Sequence, residues 1–317
     1  MPIGGNPGTV PQRLGNPEIR GQSRNGRGLS PDFRIPGRLR ASIAAFPAAS
    51  RAMSAEDLYL DLLKKALTAS LYDESAGQAS NRLKVNDQVI TLPPGVALIQ
   101  YRPLDEMARS EGRDWPLFGF TMAGTKRMDN IQHCLGEVLA DGVPGDLIET
   151  GVWRGGAAIL MRGMLAARGV TDRTVWVADS FEGLPPPSAD DLARAPKDPD
   201  HSQEAYLKVP LERVQENFRR FGLLDGQVRF LKGWFKDTLP AAPIERLAIL
   251  RLDGDLYSST KDALDALGHK VSPGGFVIVD DYHAWEGCRQ AVDEYRAARG
   301  ITAPLVQVDW TAVYWRA

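Results

Sequence analysis

Two short apolar runs that each end in acid constrain this chain more than any other feature. Leu247–Leu252 (LAILRL) leads into Asp253-Gly254-Asp255, and Phe276–Val279 (FVIV) leads into Asp280-Asp281. Runs of this length and branching fit parallel strands buried on both faces. The segment between them, Ser258 to Val271, reads as a helix with Ser258 or Ser259 as N-cap. Strand, helix and strand in that order make a βαβ unit whose strand C-termini share one edge. Asp253, Asp280 and Asp281 should therefore converge where open α/β sheets bind ligands. Carboxylates that close repel one another unless protons or a cation intervene. An all-oxygen cluster without Cys or an essential His suits a hard ion, Mg²⁺ before Zn²⁺. The competing reading makes these acids helix caps and solvated turn residues.

The composition allows a sizeable core: 317 residues, 43% hydrophobic and 25% charged, fit one large or two small domains. A formal net charge of -2 gives no global attraction to nucleic acid or to an anionic membrane. Cys134 and Cys288 lack CxxC spacing and read as buried free thiols of a cytoplasmic protein. No apolar run approaches the roughly 20 residues of a membrane span, and the N-terminus has no signal-peptide core.

Residues 1–52 differ from the rest. The stretch PGTVPQRLGNPEIRGQSRNGRGLSPDFRIPGRLR carries seven Arg against Glu18 and Asp32 and has almost no apolar period. Burial cannot offset its ordering entropy, so we expect a disordered basic tail. A nucleic-acid arm, a transit peptide and a translated upstream region are the alternatives.

Residues 53–140 read as an N-terminal helical or lid region. Ser54–Tyr72 predicts an amphipathic helix capped by Ser54, with Leu58, Leu62, Leu63, Ala66 and Leu67 on its apolar face, serving as a lid or a subunit contact. Residues 73–116 are polar, with a turn at Pro93-Pro94-Gly95 and an apolar run Val96–Ile99. Thr121–Leu139 predicts a second helix, in which Lys126 and Arg127 are expected on a solvated face, with contact to an anionic ligand as the alternative for either.

The core domain is expected over residues 141–317. Asp146–Glu149 reads as a strand and Gly151, Gly155 and Gly156 as a turn that passes close beneath a ligand and opens a helix ending near Ala167. This is not the GxGxxG fingerprint. Asp179 closes the next strand, Thr174–Ala178, at the place where a carboxylate grips a ribose diol. Together they imply a nucleoside-bearing cofactor without separating NAD from S-adenosylmethionine. Residues 181–200 form a Pro- and Asp-rich loop, long enough to be a lid. Pro210–Phe221 predicts a helix and Gln227–Leu231 a strand, after which Trp234 either stacks on a base or joins the core. Glu286–Arg299 predicts a helix closed by Gly300, and residues 305–315 a final antiparallel hairpin.

The motifs ETGVWRGG, VADSFEGLPPP, VRFLKGWFKDTLP, RLDGDLYSST and VIVDDYHAWEGCRQAVDEYR together resemble the macrocin O-methyltransferase family, from about Leu58 to Trp315. The resemblance implies a Rossmann-like class I methyltransferase fold: a mostly parallel sheet, an antiparallel edge hairpin and an N-terminal helical lid. It implies transfer of methyl from S-adenosyl-L-methionine to sugar hydroxyls, notably in antibiotic biosynthesis, with Mg²⁺ bound. It further implies that Glu149, Gly151 and Gly155 form the cofactor loop. Asp179 and Ser180 would contact ribose and adenine, Gly233 and Trp234 would border the adenine, and Thr121 and Met122 would approach the methionine part. Asp253, Asp280 and Asp281 match the family's Mg²⁺ ligands, and Asp255 its proposed general base. Phe120 stands where the family often has His, in a segment bordering the substrate side. The expected partners are a glycoside or sugar substrate and a second copy of the chain, as a homodimer or higher homo-oligomer, with no nucleic acid or membrane. The alternatives are methylation of a catechol-like phenol, an NAD-linked oxidoreductase and a catalytically silent cofactor-binding partner protein.

Overall fold

The structure, a computed structural model, describes residues 53–76, 82–86, 88–93, 96, 98–99 and 101–317. The basic tail expected over residues 1–52 lies outside them, as does most of the turn expected at Pro93-Pro94-Gly95. The helix α1 (Ala55–Leu67) opens the described chain with a capping box: the Ser54 hydroxyl accepts from the Asp57 N–H, and the Asp57 carboxylate accepts from the Ser54 N–H. It buries Leu60, Leu63 and Leu67, whereas Leu58 and Leu62 are exposed, so the apolar face expected from the sequence is only half right. Four short strands follow, β1 (Glu74–Ala76), β2 (Arg82–Val85), β3 (Gln88–Thr91) and β4 (Tyr101–Pro103). They pair antiparallel as β1 with β4 and β2 with β3. After α2 (Glu106–Ser110), α3 (Thr125–Ala140) leads into the core.

The core alternates strand and helix: β5 (Asp146–Thr150), α4 (Gly156–Ala167), β6 (Val175–Asp179), α5 (Ala189–Arg194), α6 (Leu211–Arg220), β7 (Val228–Lys232), α7 (Phe235–Thr238), β8 (Leu247–Leu252), α8 (Tyr257–Leu267), β9 (Val271–Val279) and α9 (Glu286–Ala298). The strands β10 (Val306–Gln307) and β11 (Val313–Arg316) close the chain. The seven strands lie in the order β10-β11-β9-β8-β5-β6-β7. The strands β5 to β9 run parallel, and β11 pairs antiparallel with β9. The expected edge hairpin is therefore present.

Alternation along the strands divides the core in two. Leu147, Val175, Val177, Ile249, Phe276 and Ile278 meet the side carrying Leu60, Ile131, Leu160 and Phe218. Ile148, Trp176, Leu250, Val277 and Val279 meet Leu264, Leu267 and Val292 on the other side. The central strands β5, β6 and β8 and the latter half of β9 are covered on both faces, which is why their residues are mostly apolar. The N-terminal helix belongs to the first layer: Leu63 and Tyr59 lie over Gly163 of α4, where an added Cβ would come within 2.6 Å of Leu63. Among the described residues, no helix is long and apolar enough to cross a membrane.

The chain leaves β5 for β6 on one side and returns to β8 on the other, so the switch point falls between β5 and β8. There Thr150 pairs with Leu252, and the Asp253 N–H donates to the Thr150 carbonyl at 2.9 Å. Removing packing beneath this point should be costly. Ile249→Ala, at a fully buried position, is expected to lower unfolding stability by about 2–5 kcal/mol and Ile249→Val by about 0.5–1.5 kcal/mol. Guanidinium unfolding of the two variants measures both.

Candidate active site

A cavity of about 440 Å³ opens at the switch point, lined along one side by Gly151, Asp179, Ser180 and Trp234 and along the other by Asp253, Gly254 and Asp255. Met122 reaches it from the segment before α3. Gly183, Leu184, Pro185, Pro186 and Ser188 of the loop expected over residues 181–200 also line it, and α5 lies within that loop. Among the described residues of 53–140, Met122 alone lines the cavity, and no residue of α1 does.

Gly151 makes the closest backbone approach. Its φ is +87°, and a Cβ there would fall 1.7 Å from the Asp253 carbonyl oxygen. Only glycine fits where the two strand ends touch. The turn continues through Val152 and Trp153 to Gly155, whose φ of +88° sets the start of α4. Asp179 braces this turn: one carboxylate oxygen accepts from the Val152 N–H at 2.8 Å and the other from the Phe181 N–H at 2.7 Å. Burial pushes the Asp179 carboxyl up, and these backbone donors pull it back. The Ser180 hydroxyl also lies 3.4 Å from one of these oxygens.

Of the other predicted cofactor residues, Thr121, Glu149, Gly155 and Gly233 do not line the cavity. Thr121 is buried, its hydroxyl accepting from the Ala123 N–H. Gly233 donates its N–H to the Asp179 carbonyl, which brings Trp234, the residue preceding α7, to the cavity. Glu149 does not reach the cavity: it is buried, with one oxygen on the Ala158 N–H of α4 and the other on Arg251. Phe120 packs edge-on against Phe221 and so faces the core, away from the cavity.

The acids converge as the two runs required. Asp253, Asp280 and Asp281 each offer a carboxylate oxygen within 4.8 Å of the others. Asp280 and Asp281 are enclosed, while 33% of the Asp253 side chain stays open to the cavity. The Asp281 carboxylate accepts from the Asp255 N–H at 3.2 Å, and Asp255 sits in the left-handed region at φ +57°. A non-glycine residue held there stores strain, a feature that concentrates at functional sites. Burial, reinforced by Asp253 and Asp280, pushes the Asp255 carboxyl up to about 8. Burial and Asp280 push Asp253 up to about 6, against the pull of Arg251. Burial and then Asp255 raise Asp281 well above the ordinary carboxylate range.

Two arginines outside the expected set run through the cluster. Arg251, 1% exposed, donates to Glu149 and Asp253 at 2.7 Å each and to Asp280. Arg127 donates to the other Asp280 oxygen and, at 2.8 Å, to Asp309. The solvated face expected for Lys126 and Arg127 therefore holds for Lys126, which pairs with Glu111 at the surface, and fails for Arg127. Arg127 lies in helical phase with buried Ile131, Cys134 and Val138, and that phase was the available signal. For Arg251 the signal was a charge inside a six-residue apolar strand. Counting Glu149, Asp253, Asp255, Asp280, Asp281 and Asp309 against these two guanidiniums leaves carboxylate in excess. That surplus and the oxygen-only donor set fit a hard divalent cation.

Ser258 does not cap α8 from its own chain position. Its N–H and hydroxyl both donate to Asp191 of α5, at 2.8 and 2.9 Å. Asp198 likewise accepts from the Glu286 and Gly287 N–H groups at the start of α9. The loop over residues 181–200 thus satisfies the N-termini of the two helices that follow the acidic strands.

Residues 56–317 match the sequence profile described as Macrocin-O-methyltransferase (TylF). The chain is 53% identical over 262 residues to the 8-demethyl-8-(2,3-dimethoxy-alpha-L-rhamnosyl)-tetracenomycin-C 4'-O-methyltransferase of Streptomyces olivaceus, covering 83% of this chain and 93% of that one. It is 48% identical over 265 residues to the mycinamicin III 3''-O-methyltransferase of Micromonospora griseorubida, covering 82% and 96%. The solved structure of the O-methyltransferase NovP superposes with a TM-score of 0.72 at 49% identity, over 82% of this chain and 98% of that chain. On this evidence the chain belongs to the macrocin O-methyltransferase family and is an enzyme of the methyltransferase class.

Proposed function

We propose that this protein transfers a methyl group from S-adenosyl-L-methionine to a sugar hydroxyl of a glycosylated natural product, with Mg²⁺ held by Asp253, Asp280 and Asp281. The observation that carries this reading is the single cavity joining Asp179 and the Gly151 turn to Asp253 and Asp255. A cofactor-binding end and an acidic end meet there without an intervening wall. Relatives named as methyltransferases of rhamnosyl-tetracenomycin and mycinamicin support a sugar-bearing acceptor.

When bound, the cofactor supplies an activated methyl group and leaves as S-adenosylhomocysteine, and the cation supplies charge that acidifies a hydroxyl. The protein's own residues do the remaining work. Asp179 and Ser180 would hold the ribose and adenine side, Trp234 would flank the base, and Met122 would border the methionine part. Asp255 would take the proton of the acceptor hydroxyl. Its backbone strain and its contact with Asp281 fix where that carboxyl points. Pro185, Pro186 and Leu184 cover the cavity and exclude water from the reacting atoms.

Three outcomes are expected. Asp255→Asn lowers kcat by about 10²–10⁴-fold while S-adenosylhomocysteine binds as in the wild type, by steady-state kinetics on deoxysugar glycosides and by calorimetry. Normal kcat in that variant removes Asp255 as the base. Asp179→Ala weakens S-adenosylhomocysteine at least about tenfold in the same calorimetry, the loss of two charge-assisted hydroxyl contacts. Chelation abolishes turnover and added Mg²⁺ restores it; turnover that survives chelation overturns the cation assignment.

A further inference from the structure

Arg251 ties Glu149, two residues before the Gly151 turn, to the acidic cluster. It lies in β8 opposite Glu149 of β5 on one side and Ile278 of β9 on the other. Its Nη1 bonds Glu149 and Asp253, and its Nη2 bonds Asp280. The far oxygen of Glu149 holds the Ala158 N–H at 2.8 Å, in the first turn of the helix that follows the Gly151–Gly155 loop. In the other direction, Asp280 passes to Arg127 and Arg127 to Asp309, which anchors the Thr311 and Ala312 N–H groups at 3.0 and 2.9 Å. An unbroken buried chain of alternating charge thus runs from the cofactor loop through the acidic cluster, with backbone at each end and Arg251 in the middle.

We propose that Arg251 is a positioning residue that couples the two halves of the site, so that cofactor binding and cation binding favour each other. The inference rests on the cofactor and cation reading above. A bound nucleoside that stills the 151–158 segment fixes Glu149, and through Arg251 it fixes Asp253 and Asp280 where a cation needs them. The ordering cost is then met once for two ligands, which is positive cooperativity. In the reverse direction, a cation drawing on Asp253 and Asp280 leaves more of the guanidinium's attraction for Glu149. Charge alone does not do this. Lysine would keep the charge but lacks the planar fork that bonds three carboxylates in fixed directions.

Calorimetry tests it with S-adenosylhomocysteine as the probe, because its neutral thioether removes sulfonium–cation repulsion. The quantity is the ratio of its Kd in chelator to its Kd in saturating Mg²⁺. The wild type is expected to give a ratio of about fivefold or more, and by linkage Mg²⁺ should gain the same factor from S-adenosylhomocysteine. In Arg251→Lys, with folding checked by thermal unfolding, the ratio is expected to fall to near one. If that variant does not fold, Glu149→Gln replaces it with the same expectation. A wild-type ratio of one, or a folded variant that keeps the wild-type ratio, overturns the coupling while leaving the methyltransferase reading intact. No S-adenosylhomocysteine binding by the wild type in either condition overturns both.

Discussion

A guanidinium enclosed by the central sheet must be answered with carboxylate, because a buried charge left unpaired costs several kcal/mol. Arg251 is answered three times, by Glu149, Asp253 and Asp280. Burial alone would lower its pKa, yet these acids hold it above its usual value. The answer has geometric consequences. The ends of β5, β8 and β9 must each carry an acid at a register facing one side chain. Asp280 then needs a second cation on its far oxygen, which draws Arg127 and hence the start of α3 inward. Arg127 in turn needs Asp309, which fixes the link between β10 and β11. One charge in the middle strand thereby sets the position of elements at both edges of the site.

The Gly151–Asp253 contact works beside this network. Because no side chain separates the two strand ends, the turn that braces on Asp179 and the loop that carries Asp255 open on the same cavity. Closeness of the two ends is a backbone property here. Side chains add only the direction of the charges.

Much of this was legible in the sequence because parallel strands buried on both faces leave unbroken apolar runs. Leu247–Leu252 matches its observed bounds for that reason. The strand β9 begins before its apolar run, since backbone pairing of Val271 with Leu247 needs no apolar side chains and a register shift follows it. The four strands β1 to β4 went unseen: they are short, and β3 is exposed along its whole length, so no alternation marks it. The α1 sequence places leucines nearly all round the helix, so its phase was ambiguous between Leu58 and Leu62 and the observed Leu60, Leu63 and Leu67. The three clustered acids were legible through strand topology. The burial of Arg251 and Arg127 had a local signal, in the apolar strand and in the helical phase, but their partners did not, because nothing local announces a partner more than a hundred positions away, as Glu149 is from Arg251.

The loop over residues 181–200 is fastened by its own carboxylates, which cap other helices. Asp191 serves the first turn of α8 and Asp198 the first turn of α9, and each carboxylate engages two donors of that turn. Losing one such cap costs about 0.5–2 kcal/mol. Displacing the loop would leave donors in the first turns of two helices without their carboxylate acceptors at once. The position of this loop and the fastening of the helices that follow the acidic strands are therefore linked in energy.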